Sequence, residues 1–329
     1  MFAFCIESSH VRGLGHLYRS LTLANELRQR GEAVHFLLND HASSIELIQK
    51  SGYAVSVVSF EDNVSAWEQR WLHDHPDVRV WLNDRLNTTE EHAIRVKAMG
   101  LRLVTLDDRG TGAPLSDANF AALVFDGTEQ LMGKRVFTGV EYLLLDPSLK
   151  ALRRRRTSDT ELGPILVTMG GSDTWGITPR VMQELLKRGW CATIVLGPAF
   201  AHWELLNTVI SMAPKDLFKI YKGGVPSLAD EMAKHELAIT GGGMTPFQAN
   251  AIGLPCVVIA NELFEIPVGK ALEQLGGCVF AGFHADMNWA VLSHTLPISE
   301  MSQAGMDAID LQGCCRVANE LISLERGHA

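Results

Sequence analysis

Six short apolar runs, at 2–6, 33–38, 54–58, 78–82, 101–106 and 121–125, alternate with stretches of helical spacing. A second series of six repeats the pattern at 165–169, 192–196, 217–221, 237–240, 256–259 and 278–280. Runs of this length suit strands, and their alternation with helical stretches predicts βαβ units and parallel sheets. The stretch 17–30 carries Leu21, Ala24 and Leu27 on one helical face, and 89–99 and 306–324 read as further helices. The polar, basic segment 151–163, with Arg153 to Arg156, divides the two series. The expected organisation is a first domain over 1–152 and a second over 163–329. The arginine run reads as a solvated linker rather than an anion clamp, since no aromatic or glycine residue accompanies it. Whether the last helix packs back on the first domain stays open at this level.

A chain of 329 residues has room for two full hydrophobic cores. Its 47% hydrophobic and 20% charged residues are an ordinary globular balance. The net charge of −9 argues against nucleic acid as the partner. No apolar run is long enough to span a membrane, and the start at Phe2-Ala3-Phe4-Cys5-Ile6 reads as a strand rather than a signal peptide. The expected location is therefore the cytoplasm. Cys5, Cys191, Cys256 and Cys278 lie in or beside apolar runs and read as small buried hydrophobes. The six cysteines show no CxxC spacing, and no metal motif or cofactor is expected.

Three glycine turns sit where a strand run gives way to a helical stretch. The first is Gly13-Leu14-Gly15-His16, with Arg19 one helical turn later. The second is Met169-Gly170-Gly171-Ser172-Asp173, and the third is Gly241-Gly242-Gly243-Met244-Thr245, followed by Pro246 in a first helical turn. Such turns let backbone approach a ligand closely and offer consecutive N–H groups to a phosphate. No Walker A lysine follows any of them, which disfavours P-loop hydrolysis of ATP or GTP. The first turn lacks the third glycine of a dinucleotide fingerprint, which disfavours ordinary NAD binding.

The GxGHxxR start, the MGGSD turn, the GGGMT turn with Gly253-Leu254-Pro255 after it, and the 261–265 segment resemble the SpsG/PseG family. That family contains spore-coat polysaccharide proteins and the UDP-2,4-diacetamido-2,4,6-trideoxy-beta-L-altropyranose hydrolase of pseudaminic acid biosynthesis. The resemblance implies an α/β chain of GT-B architecture, as in MurG: two Rossmann-like doubly wound domains facing a central cleft. It also implies a nucleotide-sugar substrate, UDP-linked first and CMP-linked second. By resemblance, His16 matches the active-site histidine of the hydrolase, a base for water or for an acceptor hydroxyl. Gly15 belongs to the same turn. Gly170, Gly171, Ser172 and Asp173 match the turn facing the nucleotide, and Gly242, Gly243, Met244 and Thr245 match the diphosphate turn.

Two departures stand out. Gln248 occupies the position of a ribose-binding glutamate, and Leu86 that of a tyrosine lining the hydrolase site. Asn83 and Asp84 end the run after 78–82. Asp84 is expected to act on the sugar or to orient His16, and Asn83 to face the sugar. Arg19, Asn261 and Glu265 are expected on the sugar or diphosphate side, with a salt bridge for Arg19 and plain loop chemistry for the other two as competing readings. Asp107 and Asp108 read equally as sugar contacts or as a turn. The expected activity is hydrolysis of a UDP-linked amino-deoxy sugar. The alternative is a glycosyltransferase with a surface-glycan or lipid-linked acceptor. Trp67, Trp71 and Trp81 would mark a peripheral membrane patch if exposed, against core packing as the other reading.

Overall fold

The first apolar run forms strand β1 (Phe2–Ile6), with every residue buried. It is followed by β2 (Val34–Leu38), β3 (Ala54–Val57), β4 (Val80–Asp84), β5 (Arg102–Leu106), β6 (Ala118–Ala121) and β7 (Val136–Thr138). These strands pair in parallel in the order β3-β2-β1-β4-β5-β6-β7. The structure, a computed structural model, describes residues 1–7, 15–60, 67–123, 131–157, 163–293 and 295–327. Gly13 and Leu14 of the first glycine turn lie outside the described residues.

β1 is covered on both faces, which is why it reads as a continuous apolar run instead of alternating. Phe2, Phe4 and Ile6 point into one cluster with Leu17, Leu23 and Leu27 of the helix Gly15–Gln29 and with Val317 and Leu321. Ala3 and Cys5 point into the other, with Trp67, Trp71 and Trp81. Each buried phenylalanine contributes about 2 kcal/mol relative to an exposed one. The three tryptophans are therefore core residues, and no membrane patch is built from them. Among the described residues, no helix is long and apolar enough to cross a membrane.

The second series forms β8 (Ile165–Thr168), β9 (Ala192–Val195), β10 (Phe218–Tyr221), β11 (Leu237–Gly241), β12 (Cys256–Ala260), β13 (Cys278–Phe283) and β14 (Asp286–Met287). Their order, β10-β9-β8-β11-β12-β13-β14, repeats that of the first sheet, with β14 antiparallel at the edge. The chain divides into unit 1, Met1–Pro147 with Leu311–Ala329, and unit 2, Ser148–Asp310. In each unit the strand order reverses direction beside the first strand, between β1 and β4 and between β8 and β11. Such switch points are where open α/β sheets bind ligands, at the carboxyl ends of the strands.

Three expectations are corrected. The sixth strand is Ala118–Ala121 rather than 121–125. Buried Asn119 disguised it: its amide donates to the carbonyls of Asp108 (3.0 Å) and Met132 (2.9 Å) inside the sheet. The expected helix 306–324 is two helices, Ile298–Ala308 and Gly313–Glu325. Leu311 adopts φ +62° between them, and Gly313 lies so close to the backbone of Leu143 that no Cβ would fit.

The arginine run is only partly solvated: Arg154 and Arg155 are exposed, but the run is anchored to unit 2. Arg156 is fully buried, and its guanidinium donates to the carbonyls of Arg154 (2.9 Å), His235 (3.2 Å), Met232 (3.3 Å) and Ile252. Two of those carbonyls belong to the ends of the helices Leu228–Met232 and Thr245–Ala251, where a cation complements the unpaired acceptors. Arg154 pairs with Glu236 at 2.6 Å, and Arg153 and Arg155 donate to Met306 O and Ser299 Oγ. All four side chains reach partners within unit 2.

Candidate active site

In unit 1 the helix Gly15–Gln29 starts at the carboxyl end of the sheet and carries His16, Arg19 and Ser20 on one face. Asp84 ends β4, in register with Ile6 of β1. Asp107 follows β5 with φ +51°, a left-handed conformation that aspartate tolerates better than most residues. His16 Nδ1 lies 2.6 Å from Asp84 Oδ1. Arg19 grips Asp84 with one edge of its fork: Nε donates to Oδ2 at 2.8 Å and Nη2 to Oδ1. Its Nη1 donates to Asp107 Oδ2, and Ser20 Oγ donates to Asp84 Oδ2 at 2.9 Å.

Asp84 is fully buried. Burial alone would raise its carboxyl, but the charge and hydrogen bonds of Arg19, with the hydrogen bond of His16, outweigh it and hold the group well below the usual carboxylate range. Burial likewise works against the Arg19 cation, and Asp84 and Asp107 overcome it and keep the guanidinium charged. An ionised carboxylate only accepts hydrogen bonds, so the nitrogen facing Asp84 carries the ring proton. In the neutral ring the lone pair is then on Nε2. The carboxylate already takes donors from His16, from two atoms of Arg19 and from Ser20, which fills its roughly four lone-pair directions. This arrangement suits a group that orients the imidazole, not one that itself acts on a sugar.

Arg19 is committed to two carboxylates, which is the salt-bridge reading of this residue. Asn83 is buried, its Oδ1 accepts from Trp81 Nε1 (2.9 Å) and its Nδ2 donates to Thr88 Oγ1 (3.0 Å). Asp108 belongs to the loop framework. Its carboxylate receives Thr88 N (3.1 Å) and Gly110 N (2.8 Å), pinning the loop after β4 to the loop after β5.

In unit 2 the two glycine turns follow β8 and β11 at the switch point. Gly170, Gly171 and Ser172 are exposed, and a Cβ added at either glycine would meet nothing within 4 Å. Asp173 is engaged within the fold. It is buried, with φ +47°, and its two carboxylate oxygens receive Ile177 N (2.7 Å) and Thr178 N (2.8 Å) at the start of the helix Ile177–Arg188. An aspartate there uses the N–H groups that would otherwise attract a phosphate.

At the second turn Gly241 and Gly242 are buried and tightly approached. A Cβ on Gly242 would lie 2.7 Å from Glu265 Cβ, and one on Gly241 would meet Asn261 Nδ2. Glu265 Oε2 accepts from Asn261 N (2.7 Å) and Gly242 N (3.2 Å), so this carboxylate ties the loop after β12 to the glycine turn. Burial lifts the Glu265 carboxyl above its usual range, only partly offset by those backbone donors. Asn261 Oδ1 is buried without a hydrogen-bond partner. Gly243, Met244, Thr245 and Gln248 are half-buried around the start of the helix Thr245–Ala251.

No protein-family model matches the chain. It is 23% identical to the spore coat polysaccharide biosynthesis protein SpsG of Bacillus subtilis over 94% of both chains. The uncharacterised protein MJ1062 of Methanocaldococcus jannaschii is 30% identical over 281 residues, which are 79% of this chain but 56% of that protein's length. Among solved structures, MurG of Acinetobacter baumannii superposes with a TM-score of 0.69 at 13% identity, over 98% of this chain and 99% of that one. HepE of Anabaena, solved in complex with UDP, gives 0.63 at 14% identity, over 98% and 100%. The chain is a homologue of SpsG with the GT-B fold.

Two parts of this SpsG homologue's site were not singled out in its sequence. Ser20 lies four residues after His16 on the same helix face, a spacing that would have marked it. Gly197 follows β9, and Ala199 N donates to Gly171 O at 3.0 Å. A Cβ at Gly197 would run into the carbonyls of Gly170 and Gly171, so this glycine lets the turn after β9 lie against the turn after β8. A strand followed by Gly197-Pro198 was the available signal.

Proposed function

We propose that this SpsG homologue is an enzyme acting on a nucleotide-activated sugar, with His16 as its general base and Asp84 as the group that orients it. The observation that carries the reading is the buried, ionised Asp84 held against His16 Nδ1 at a switch point of the sheet. His16 and Asp84, the reacting groups of this reading, belong to unit 1. Within unit 2, the exposed Gly170-Gly171-Ser172 backbone and the Gly243-Met244-Thr245 turn are the candidate diphosphate donors, and Gln248 is the candidate ribose contact. The part SpsG plays in polysaccharide biosynthesis and the UDP bound to HepE support a nucleotide-sugar substrate.

In the first reading the nucleophile is water and the substrate a UDP-linked amino-deoxy sugar. His16 Nε2 takes the proton from water, the oxygen bonds to the sugar carbon that carries the diphosphate, and that C–O bond breaks as the nucleotide leaves with its electrons. The second reading is glycosyl transfer, in which an acceptor hydroxyl loses its proton to Nε2. Leu86, where the hydrolase resemblance calls for tyrosine, favours this second reading.

The test is incubation with UDP- and CMP-sugars, with and without candidate acceptors. Nucleotide release without acceptor supports hydrolysis, and acceptor-dependent release supports transfer. Sugars left intact in every arm would reject the enzyme reading. Full turnover by His16→Ala would reject the role of His16.

A further inference from the structure

The network around Asp84 contains a conflict over one atom. His16 Nδ1 is 2.6 Å from Asp84 Oδ1 and also 3.0 Å from Arg19 Nη2. Asp84 requires a hydrogen on Nδ1, because a carboxylate only accepts. Arg19 requires a lone pair there, because a guanidinium only donates. The two demands select opposite tautomers of the neutral ring, and only one of these leaves the lone pair on Nε2.

The outcome depends on where the rigid guanidinium plane is held. Arg19 has five N–H donors in a flat, rigid fork, so a contact on one edge leaves the plane free to tilt about that edge, and a second contact beyond it removes that freedom. Nε and Nη2 engage Asp84, and Nη1 engages Asp107 on the far side. Asp107 is itself well anchored. Its backbone N donates to Phe120 O at 2.7 Å, its carbonyl receives Arg109 Nη1 at 2.9 Å, and its neighbour Asp108 is bonded to Thr88 and Gly110.

We infer that Asp107 is a positioning residue: acting through Arg19, it holds the guanidinium on the two carboxylates and so keeps the proton of the His16 ring on Nδ1. Without Asp107, the fork is free to turn its Nη2 hydrogens toward His16 Nδ1. The ring then moves its proton to Nε2, the nitrogen that the proposed base chemistry needs free. The functional weight of this inference rests on the reading of His16 as base; the tautomer itself does not.

The experiment labels the twelve histidines with 15N and identifies the His16 ring by its loss in His16→Gln. Spectra at pH 9 report which ring nitrogen carries the hydrogen. The parent protein is expected to show the Nδ1–H form, and Asp107→Ala and the isosteric Asp107→Asn a growing share of the Nε2–H form. Their kcat is expected to fall by about tenfold to a hundredfold, with KM changed less than about twofold, because the base is misoriented while the groups that bind substrate stay in place. Asp107→Glu, which keeps the charge, restores part of the parent spectrum and rate. If Asp107→Ala does not fold, Asp107→Asn supplies the same readout. A parent-like tautomer in folded Asp107→Asn or Asp107→Ala overturns the inference. A changed tautomer with unchanged turnover supports the inference and overturns the reading of His16 as base.

Discussion

His16 Nδ1 and Asp84 Oδ1 stand 2.6 Å apart although 68 residues separate them in the chain. The contact exists because β1 and β4 are neighbours in the parallel sheet, so that the helix after one and the last residue of the other meet at the same edge. That edge is also where the strand order reverses. The pair thus couples a ring exposed enough to meet a ligand with a carboxylate wholly withdrawn from water.

Asp84→Asn tests what that carboxylate supplies. An asparagine can turn its NH2 toward His16 Nδ1, which favours the tautomer with the hydrogen on Nε2. The expected result is a loss of roughly 10³–10⁴ in kcat, the scale seen when an orienting aspartate is replaced in a histidine-based site. Steady-state kinetics on whichever nucleotide sugar is turned over checks this, with circular dichroism to establish folding. A loss under tenfold would mean that Asp84 does not set the ring's proton.

Local backbone chemistry made the glycine turns and His16 legible in the sequence. A strand, a glycine turn and a helix follow one another within a dozen residues, so the pattern survives without knowledge of the fold. For Arg19 the sequence offered a salt bridge beside a ligand contact but not its partners, since the two carboxylates arrive from β4 and from the residue after β5. The bonding of Asp173 was hidden for a related reason. Its place in the turn was visible, but the choice between a ligand and the free N–H groups of Ile177 and Thr178 depended on its φ of +47°. Arg156 was misread because charge suggests solvent, whereas four backbone carbonyls converge on it only after unit 2 has folded.

Gly171 and Gly197 separate a ligand role from a folding role. A methyl added at Gly171 meets no protein atom, so Gly171→Ala should leave stability within about 0.5 kcal/mol of the parent. If the backbone there faces the nucleotide, the methyl intrudes on the ligand and KM rises by about tenfold, a change of about 1.4 kcal/mol. Gly197→Ala should instead push the turn after β8 out of place and lower the melting temperature as well as nucleotide affinity. Thermal melts and UDP titrations read both, and a Gly171→Ala variant with unchanged affinity would remove that turn from the nucleotide site.

Glu265 sets a pH dependence of stability with a definite sign. Burial lifts its carboxyl above the ordinary range, so the folded protein holds the proton more tightly than the unfolded chain does. The stability linked to that proton is fully present below the unfolded value of about 4.3, and is lost as pH rises through the folded value. Glu265→Gln never ionises. Its melting temperature should equal that of the parent near pH 4 and exceed it at pH 8. The reverse order at pH 8 would mean that the charged carboxylate on Asn261 N and Gly242 N stabilises the loop more than its burial costs.

Leu86 carries strain next to the proposed base-orienting group, and it should trade stability against activity. Its φ of +65° costs a leucine about 1–2 kcal/mol, since the Cβ crowds the backbone in the left-handed region. The conformation is imposed from both sides: Asp84 is locked by Arg19, Thr88 N is held by Asp108, and Arg109 N donates to Leu86 O at 3.0 Å. Leu86→Gly removes the strain but adds freedom to the unfolded chain, worth about 0.5–1 kcal/mol in the other direction. The side chain is half-buried, so its loss costs less than that of a core leucine. Leu86→Ala keeps the strain and removes most of the side chain, which isolates the packing contribution. Leu86→Gly should therefore melt above Leu86→Ala, by about 2–4 °C for each kcal/mol by which the relieved strain exceeds that entropy. Its kcat should fall, because a loop free to leave the left-handed conformation no longer holds the end of β4 at Asp84 in one place. Equal melting temperatures for the two variants would show that the bonds of Asp108 and Arg109, rather than a strained leucine, fix the loop.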